Sequence, residues 1–593
     1  MVTSPLNAKL DLVSYRVLID GKELDGTREV AQINVFFGVN RVSTARVEFL
    51  DGDPSEQLFA FSQDSTVKPG ATISIQAGYH SENKEIFSGL IIGQTIFLAS
   101  DSSSQLAVEC RGNEVKMTIG RQSKTYENKK DSDVFTQLFS NHSLTADVTA
   151  TTVSHKELVQ YYCTDWDFLL SRAEANGLMV VPGKKVAVSK PSTSTKPVLR
   201  LTHGESVYTF NLELDARSQY SAVSGSFWDD LTQSVQALSA TNPSVKTNGT
   251  DSSASLASVI GLSAFTVQTQ APLPAEEARA WLNGLWLKSA LSKIKGTIKF
   301  PGNASVLLGN MVELVGFGNR FNGTAFVSQV NHTLEAGDWS TEIVLGLDEK
   351  WFIERQPDVM APAAAGVLPG INGLCSGTVT KTDQDPEGHF RVQVRVPALN
   401  NELLWVRLAQ QQASAGTGSF FYPETNDEVI IGFVGGDPRY GVILGSLYSK
   451  KQKPAYVPDA ANTKKAWLTK ENLKVEFDDE KKIITIETPG KNQIVFSDDA
   501  KSVTIKDQHG NAIIMNQDGI TFDSKSAIKL KAASNIELEA TGKIDIKATG
   551  DLALNGLNIA GKAQSQLKLE GTASAEVSAA GQMVIKGALV MIN

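Results

Sequence analysis

The chain has 593 residues, 41% of them hydrophobic and 20% charged, with a formal net charge of −9. That length calls for several domains, the hydrophobic share is that of folded globular protein, and the acidic balance excludes nucleic-acid binding as the main role. The three cysteines, Cys110, Cys163 and Cys375, are odd in number and far apart, so no disulfide framework is expected.

The first residues show no basic stretch followed by an apolar run, so no signal peptide is expected. No apolar stretch approaches the length of a membrane-spanning helix. The odd cysteines and the missing signal suit synthesis and assembly in a reducing cytoplasm. Residues 1–100 read as short strands, because Val17–Gly21, Ala45–Leu50 and Ile73–Gly78 alternate apolar and polar. A helix is expected at Ser132–Asn141, with Val134, Phe135, Leu138 and Phe139 on one stripe. A second runs from Asp165 to Asn176, capped by Thr164 and stopped by Gly177. Residues 233–258 are rich in Ser, Thr, Asn and Ala and read as a mobile loop. A third helix follows Pro274, from Ala275 to Ile294. Strands return at Ser305–Leu308, Met311–Val315 and Ile343–Gly346.

This first block spans 1–355, and a Pro- and Ala-rich linker at 356–373 closes it. Residues 374–449 then carry five or six strands, a size and pattern that fit a small closed barrel of OB type. In that barrel Phe390, Val392, Val394 and Val396 are expected inside, with Arg391, Gln393 and Arg395 outside. A basic connector at 450–470 leads to the last block, 471–593.

The last block keeps a beat of eight residues. Ile528/Leu530, Ile536/Leu538, Ile544/Ile546 and Leu552/Leu554 each open a unit, and small residues or Gly close it. The beat wobbles between 484 and 511, where Pro489-Gly490 and Asp507–Gly510 look like larger turns. One octad supplies a single short strand and a turn, so a lone chain leaves backbone groups unpaired and an apolar face wet. Three intertwined chains solve both problems, and those eight side chains then fill a narrow core. About fifteen octads at one strand spacing each make a rod on the order of 70 Å long. The outward charges, such as Lys529, Glu537 and Asp545, read as a solvated face. The apolar end at Leu589, Val590, Met591, Ile592 and Asn593 calls for a cover. The fold expected overall is mainly β: barrel domains with a few helices, an OB barrel and a C-terminal trimeric β-helix.

Three segments together resemble one family. Tyr162–Gly177 looks like the helix signature of the VgrG spike family and of the related phage tail hub proteins. The barrel, with Gly418–Phe420, Phe421–Pro423, Asp427–Val429, Gly436–Arg439 and Gly445–Tyr448, resembles that family's OB domain, and the octads resemble phage spike needles. The resemblance implies a homotrimeric central spike of a contractile injection system. It implies two tail-tube-like domains in residues 1–355, so that three chains match a hexameric inner tube. Baseplate proteins, a PAAR-repeat tip protein on 589–593, effector cargo and a punctured target membrane follow as partners. The same resemblance implies assembly into the particle and expulsion on firing, by a type VI apparatus, an extracellular particle or a phage tail.

The seven histidines show no metal-ligand spacing, and no nucleophile elbow or phosphate loop is present. Neither an enzyme nor a cofactor is expected, and no inserted enzymatic domain lies between barrel and needle. Asp165 and Asp167 read as helix-capping residues. Trp405, Phe420, Phe421 and Tyr422 with Arg391 and Arg407 read as barrel core and trimer contact, with an OB-type ligand surface as the other possibility. Two further readings are a phage baseplate spike with envelope-degrading activity and a trimeric adhesin with an octad stalk.

Overall fold

The computed structural model describes residues 3–592 apart from 8–11, 101–102, 230–231, 270 and 272. The chain forms two compact units, Met1–Leu447 and Tyr448–Asn593.

The first unit is organised by one long antiparallel sheet. Its first half uses β1 (Val13–Ile19), β2 (Val30–Gly38), β3 (Thr44–Leu50), β4 (Thr72–Tyr79), β5 (Lys84–Leu98) and β6 (Ser104–Arg111). Its second half uses β7 (Thr209–Leu214), β8 (Ile294–Pro301), β9 (Met311–Val315), β10 (Gly323–Glu335) and β11 (Asp338–Leu345). The main order is β7-β8-β11-β10-β2-β3-β6-β5-β4-β1, with β9 alongside β10. Each half has its own core. Ile33, Val47, Ile75, Leu106 and Val108 fill the first; Ile298, Phe300, Val327 and Ile343 fill the second. The halves join where Gln329–Glu335 of β10 pair with Gly38–Gln32 of β2.

His332 sits at this join, fully buried, with its ring nitrogen 2.9 Å from the Thr341 hydroxyl. Burial pushes its pKa down to about 4. Above the ordinary histidine value the ring is neutral whether the chain is folded or not. Below that value the unfolded chain takes up a proton that the folded one refuses, so stability falls as pH drops toward 4. The expected loss at pH 5 is about 2 kcal/mol relative to pH 7. Thermal melts at both pH values should show a smaller acid shift in His332→Gln than in the parent; equal shifts would remove this role.

Two helices lie between the halves. α1 (Asp131–Asn141) and α2 (Asp165–Ala175) bury Val134, Phe135, Leu138, Phe139, Trp166 and Leu169 together. The Thr164 hydroxyl accepts from the Asp167 amide at 3.0 Å, as the capping pattern requires. Gly177 ends the turn at φ +66°, and a Cβ there would lie 3.2 Å from the Cα of Gly284. The α2 end therefore packs directly on α4 (Ala275–Leu291), which stops before Ile294 because that residue opens β8.

Three local expectations are corrected. Residues 233–258 hold a strand, Ser234–Ser239, paired to Val223–Asp229, and a helix α3 (Ser253–Ile260) capped by Ser252. Low sequence complexity hid both. Ser305–Leu308 is not a strand: the Asn303 and Asn310 side chains accept from the Ser305 and Leu307 amides and hold a turn instead. Phe390 is not inside the barrel. It lies before the strand Val392–Val396 at φ +58° and is 81% exposed. Asp385 accepts from the amides of His389 and Arg391 and turns this segment outward.

The barrel itself closes with five strands: Leu374–Lys381, Val392–Val396, Glu402–Leu408, Gly441–Leu447 and Glu428–Phe433. Val379, Val392, Val394, Val396, Val406, Val429, Ile431 and Ile443 make its core.

The second unit opens with a seven-stranded antiparallel meander from Lys464–Leu468 to Gly519–Asp523. Each of these strands pairs with its sequence neighbour. That corrects the expectation of interchain pairing from residue 471 onward. Pro489-Gly490 and Asp507–Gly510 fall at hairpin turns of this meander. From Ser524 to Ile592 no residue belongs to a strand.

Candidate assembly surfaces

The meander has two unlike faces. Strand register places Val475, Ile486, Ile494, Ile505, Ile513 and Phe522 in one row across six strands. A second row, Phe477, Ile484, Phe496, Val503, Met515 and Ile520, lies on the same face. Both rows face water in the lone chain, with Ile520 at 65% exposure.

The other face is mixed: Ile483, Val495 and Ile514 lie on it beside charges that pair among themselves. Lys464 reaches Glu476 at 3.0 Å and Asp478 at 2.7 Å, while Lys474 and Lys491 reach Glu487 at 3.0 and 2.7 Å. Lys491 and then Lys474 hold the Glu487 carboxyl down to about 2. A sheet whose second face carries two uninterrupted apolar rows open to water belongs against other apolar surface.

The octads tell the same story without backbone pairing. Ile528, Leu530, Ile536, Leu538, Ile544, Ile546, Leu552 and Leu554 are 52–74% exposed. Full burial of the eight is worth on the order of 10 kcal/mol per chain. At the apolar end Leu589, Val590, Met591 and Ile592 are exposed as well, while Asn593 lies outside the described residues. The charges between octads pair only in water, as Lys543 does with Asp545 at 2.7 Å.

The polar residues at the start of α2 take structural roles. Asp165 accepts from the Gln160 side chain and lies 2.8 Å from a His142 ring nitrogen; Asp167 accepts from the Thr164 hydroxyl. His203–Ser206 forms a turn. On the barrel, Arg391 makes a two-pronged contact with Asp385, and the Tyr422 hydroxyl donates to the Phe390 carbonyl. Trp405 is half-buried and Tyr422 packs on the barrel core, but Phe420 and Phe421 are exposed, so the core reading fails for those two. They sit on the loop around the short hairpin of Ala413–Ser414 and Thr417–Gly418, which carries them off the barrel wall.

One cluster escaped the sequence. Asp131 (1% exposed) accepts from Arg172 Nε and Nη2 at 2.8 and 3.0 Å, and from the Asn176 side-chain amide at 2.9 Å. The His155 ring lies 2.9 Å from the same carboxylate, and Arg172 also reaches Glu277 at 2.9 Å. Burial would push the Asp131 carboxyl up, but Arg172, Asn176 and His155 outweigh it and hold it below the usual range. Every polar group has a partner, which marks a device that ties α1, α2, α4 and the strand Ser154–Cys163 together. Its members are too far apart in sequence for any spacing to announce them.

The closed five-stranded barrel and the C-terminal run each match a family of the type VI secretion and phage-baseplate class. Residues 375–448 match the family described as the type VI secretion system/phage-baseplate injector OB domain. Residues 483–590 match the phage baseplate V C-terminal trimerisation domain. Residues 9–336, more than half of the chain, match the Alg8 N-terminal domain, and the chain belongs to that family.

Among solved structures the chain is similar to the 43 kDa tail protein of prophage MuSo2 from Shewanella oneidensis. Identity is 12% over 57% of this chain and 99% of that one, with a TM-score of 0.44. It is similar to a tail protein from Neisseria meningitidis MC58 at 15% identity, over 59% and 99% of the two chains, TM-score 0.42. A third is the E. coli c3393 protein, described as a component of the type VI secretion system: 14% identity, 73% and 99% covered, TM-score 0.35. No curated protein matches the chain.

Proposed function

We propose that the chain is the homotrimeric central spike of a contractile injection machine. The observation that carries this reading is the C-terminal unit. A sheet with an uncovered apolar face runs into about 70 residues whose regularly spaced apolar side chains find no cover in their own chain. Three copies bury both, and the match to a trimerisation domain supports that stoichiometry.

In this role the hub docks on a hexameric inner tube and contacts baseplate proteins. The rod beyond it is driven through the target envelope, and a PAAR-repeat protein caps residues 589–593. Effector cargo travels on the spike. The chain is made in the cytoplasm, built into the particle and expelled on firing. It works mechanically, and no clearing is expected in a peptidoglycan zymogram.

Light scattering on the purified chain is expected to give three times 63.9 kDa. A monomer at micromolar concentration would end this reading.

A further inference from the structure

Where α2 meets α4, Gly177 against Gly284, the hub leaves two adjoining spaces. Gly177, Pro191, Gly284 and Leu287 line both. The inner one is a chamber of about 90 Å³, and the outer one is a cleft of about 560 Å³.

The chamber holds more donors than acceptors. Its cations come from three places: Arg41 from the turn after β2, Lys288 from α4, and Arg355 from the short helix Phe352–Arg355. Two carboxylates line it, and both are already engaged. Glu174 accepts from Lys288 with one oxygen and from the Phe352 amide with the other. Asp348 accepts from the Lys350 amide at 3.1 Å and stands 3.4 Å from Arg355. Burial lowers the Lys288 pKa from its ordinary value, and the charge of Arg355 adds to that push against Glu174. The Nε of Arg355 is buried with no acceptor. Arg41 lies over the Phe36 ring and has no acidic partner among the described residues. Orphaned donors in an enclosed site call for an occupant, and a guanidinium fork fits an oxyanion. The chamber has the volume of about three liquid waters, which is room for one tetrahedral oxyanion.

The outer cleft has a different character. Lys190 and Arg279 stand on its walls without acidic partners among the described residues, against one lining carboxylate, Glu276. Asn283 accepts from the Thr241 amide at 2.7 Å, and Asn242 from the Ser244 amide at 2.9 Å. Those bonds fix the carbonyl end of each side chain, so the NH2 groups are left to donate. A polar cleft of this volume suits a small organic molecule rich in hydroxyls.

We propose that the two spaces form one binding site for a small phosphomonoester with a hydroxylated body. Arg41 and Arg355 hold the phosphate in the chamber. Asn242 and Asn283 take the body in the cleft, and Lys190 and Arg279 draw the anion to its mouth. The site lies within one chain, so it stands apart from the trimer reading. Arg355 directly precedes the linker at 356–373, so an occupant would fasten the start of that linker to the hub.

Calorimetric titration of the full chain tests this. The probes are glucose 6-phosphate, ribose 5-phosphate, inorganic phosphate and glucose, each against sodium chloride of matched ionic strength. A saturable heat is expected for at least one sugar phosphate, a weaker one for inorganic phosphate, and none for glucose. Binding should also raise the thermal midpoint of the hub. Arg41→Gln should weaken sugar-phosphate binding about tenfold or more. Its side chain is exposed and unpaired, so the unliganded melt should match the parent; if it does not, Arg355→Gln carries the same test. Lys190→Gln/Arg279→Gln should bind more weakly and with less dependence on salt. No saturable heat from either sugar phosphate overturns the site. Undiminished affinity in the arginine variants overturns it too, and so does inorganic phosphate binding as tightly as the sugar phosphates, since no organic body is then recognised.

Discussion

Ile544→Asp is expected to abolish the trimer while leaving the folded hub and barrel unchanged. In the lone chain Ile544 is 52% exposed and touches no core, so a carboxylate there costs that chain almost nothing. In a three-chain braid the same position recurs three times around one axis. Three carboxylates then share a narrow apolar core. Each buried charge without a partner costs several kcal/mol, and the three also repel one another. The combined penalty is on the order of 10 kcal/mol or more and falls on one layer of the core, where it outweighs what the three apolar side chains of that layer contribute. Light scattering should show the mass falling toward that of one chain, and an unheated denaturing gel should lose its slow band. Lys547→Ala, on the outward side of the same octad, should change neither. A variant Ile544→Asp that stays trimeric would show that these residues do not face one another.

The second large effect lies in the hub. Arg172→Ala should lower its stability by roughly 3–5 kcal/mol, the usual result of stripping one partner from a buried ion pair. Asp131, at 1% exposure, would keep its charge or take up a proton in an enclosed site, and Glu277 would lose the same guanidinium. The thermal midpoint of the hub transition should fall by roughly 5 °C. Asp131→Asn combined with Arg172→Met should recover much of that loss, because no uncompensated charge remains. A shift under 1 kcal/mol in Arg172→Ala would mean water reaches the site. The intact network also has an acid signature. Since the Asp131 carboxyl is held below its usual range, its contribution is present above the ordinary aspartate pKa and is lost as pH falls through the folded value.

Much of this was legible in the sequence, and the failures have physical causes. The octads announced themselves because a fixed period needs no knowledge of partners. The helices α1 and α2 were legible because Thr164, Gly177 and an apolar stripe are local signals. Between 464 and 523 the strands were readable but their partners were not, since alternation fixes a face and says nothing about which strand lies beside it. The wobble at Pro489 and Asp507 was the visible trace of the hairpin turns that keep those strands at home. Phe390 was misplaced because alternation was carried past the point where Asp385 takes the backbone amides. The cluster around Asp131 joins residues from 131 to 277, and only the packing of three helices and a strand brings them together.

The self-paired meander ahead of the octads has a consequence for how a needle is built. Units such as Ile536–Lys543 and Ile544–Asp551 are so alike that three strands laid together could lock one or more units out of step. Each chain, however, arrives with a finished plate immediately before the first clean unit. In the proposed trimer, three plates clasping by their oily sides would set a common starting line for the winding. On that arrangement the alignment of the rod would be fixed at its base.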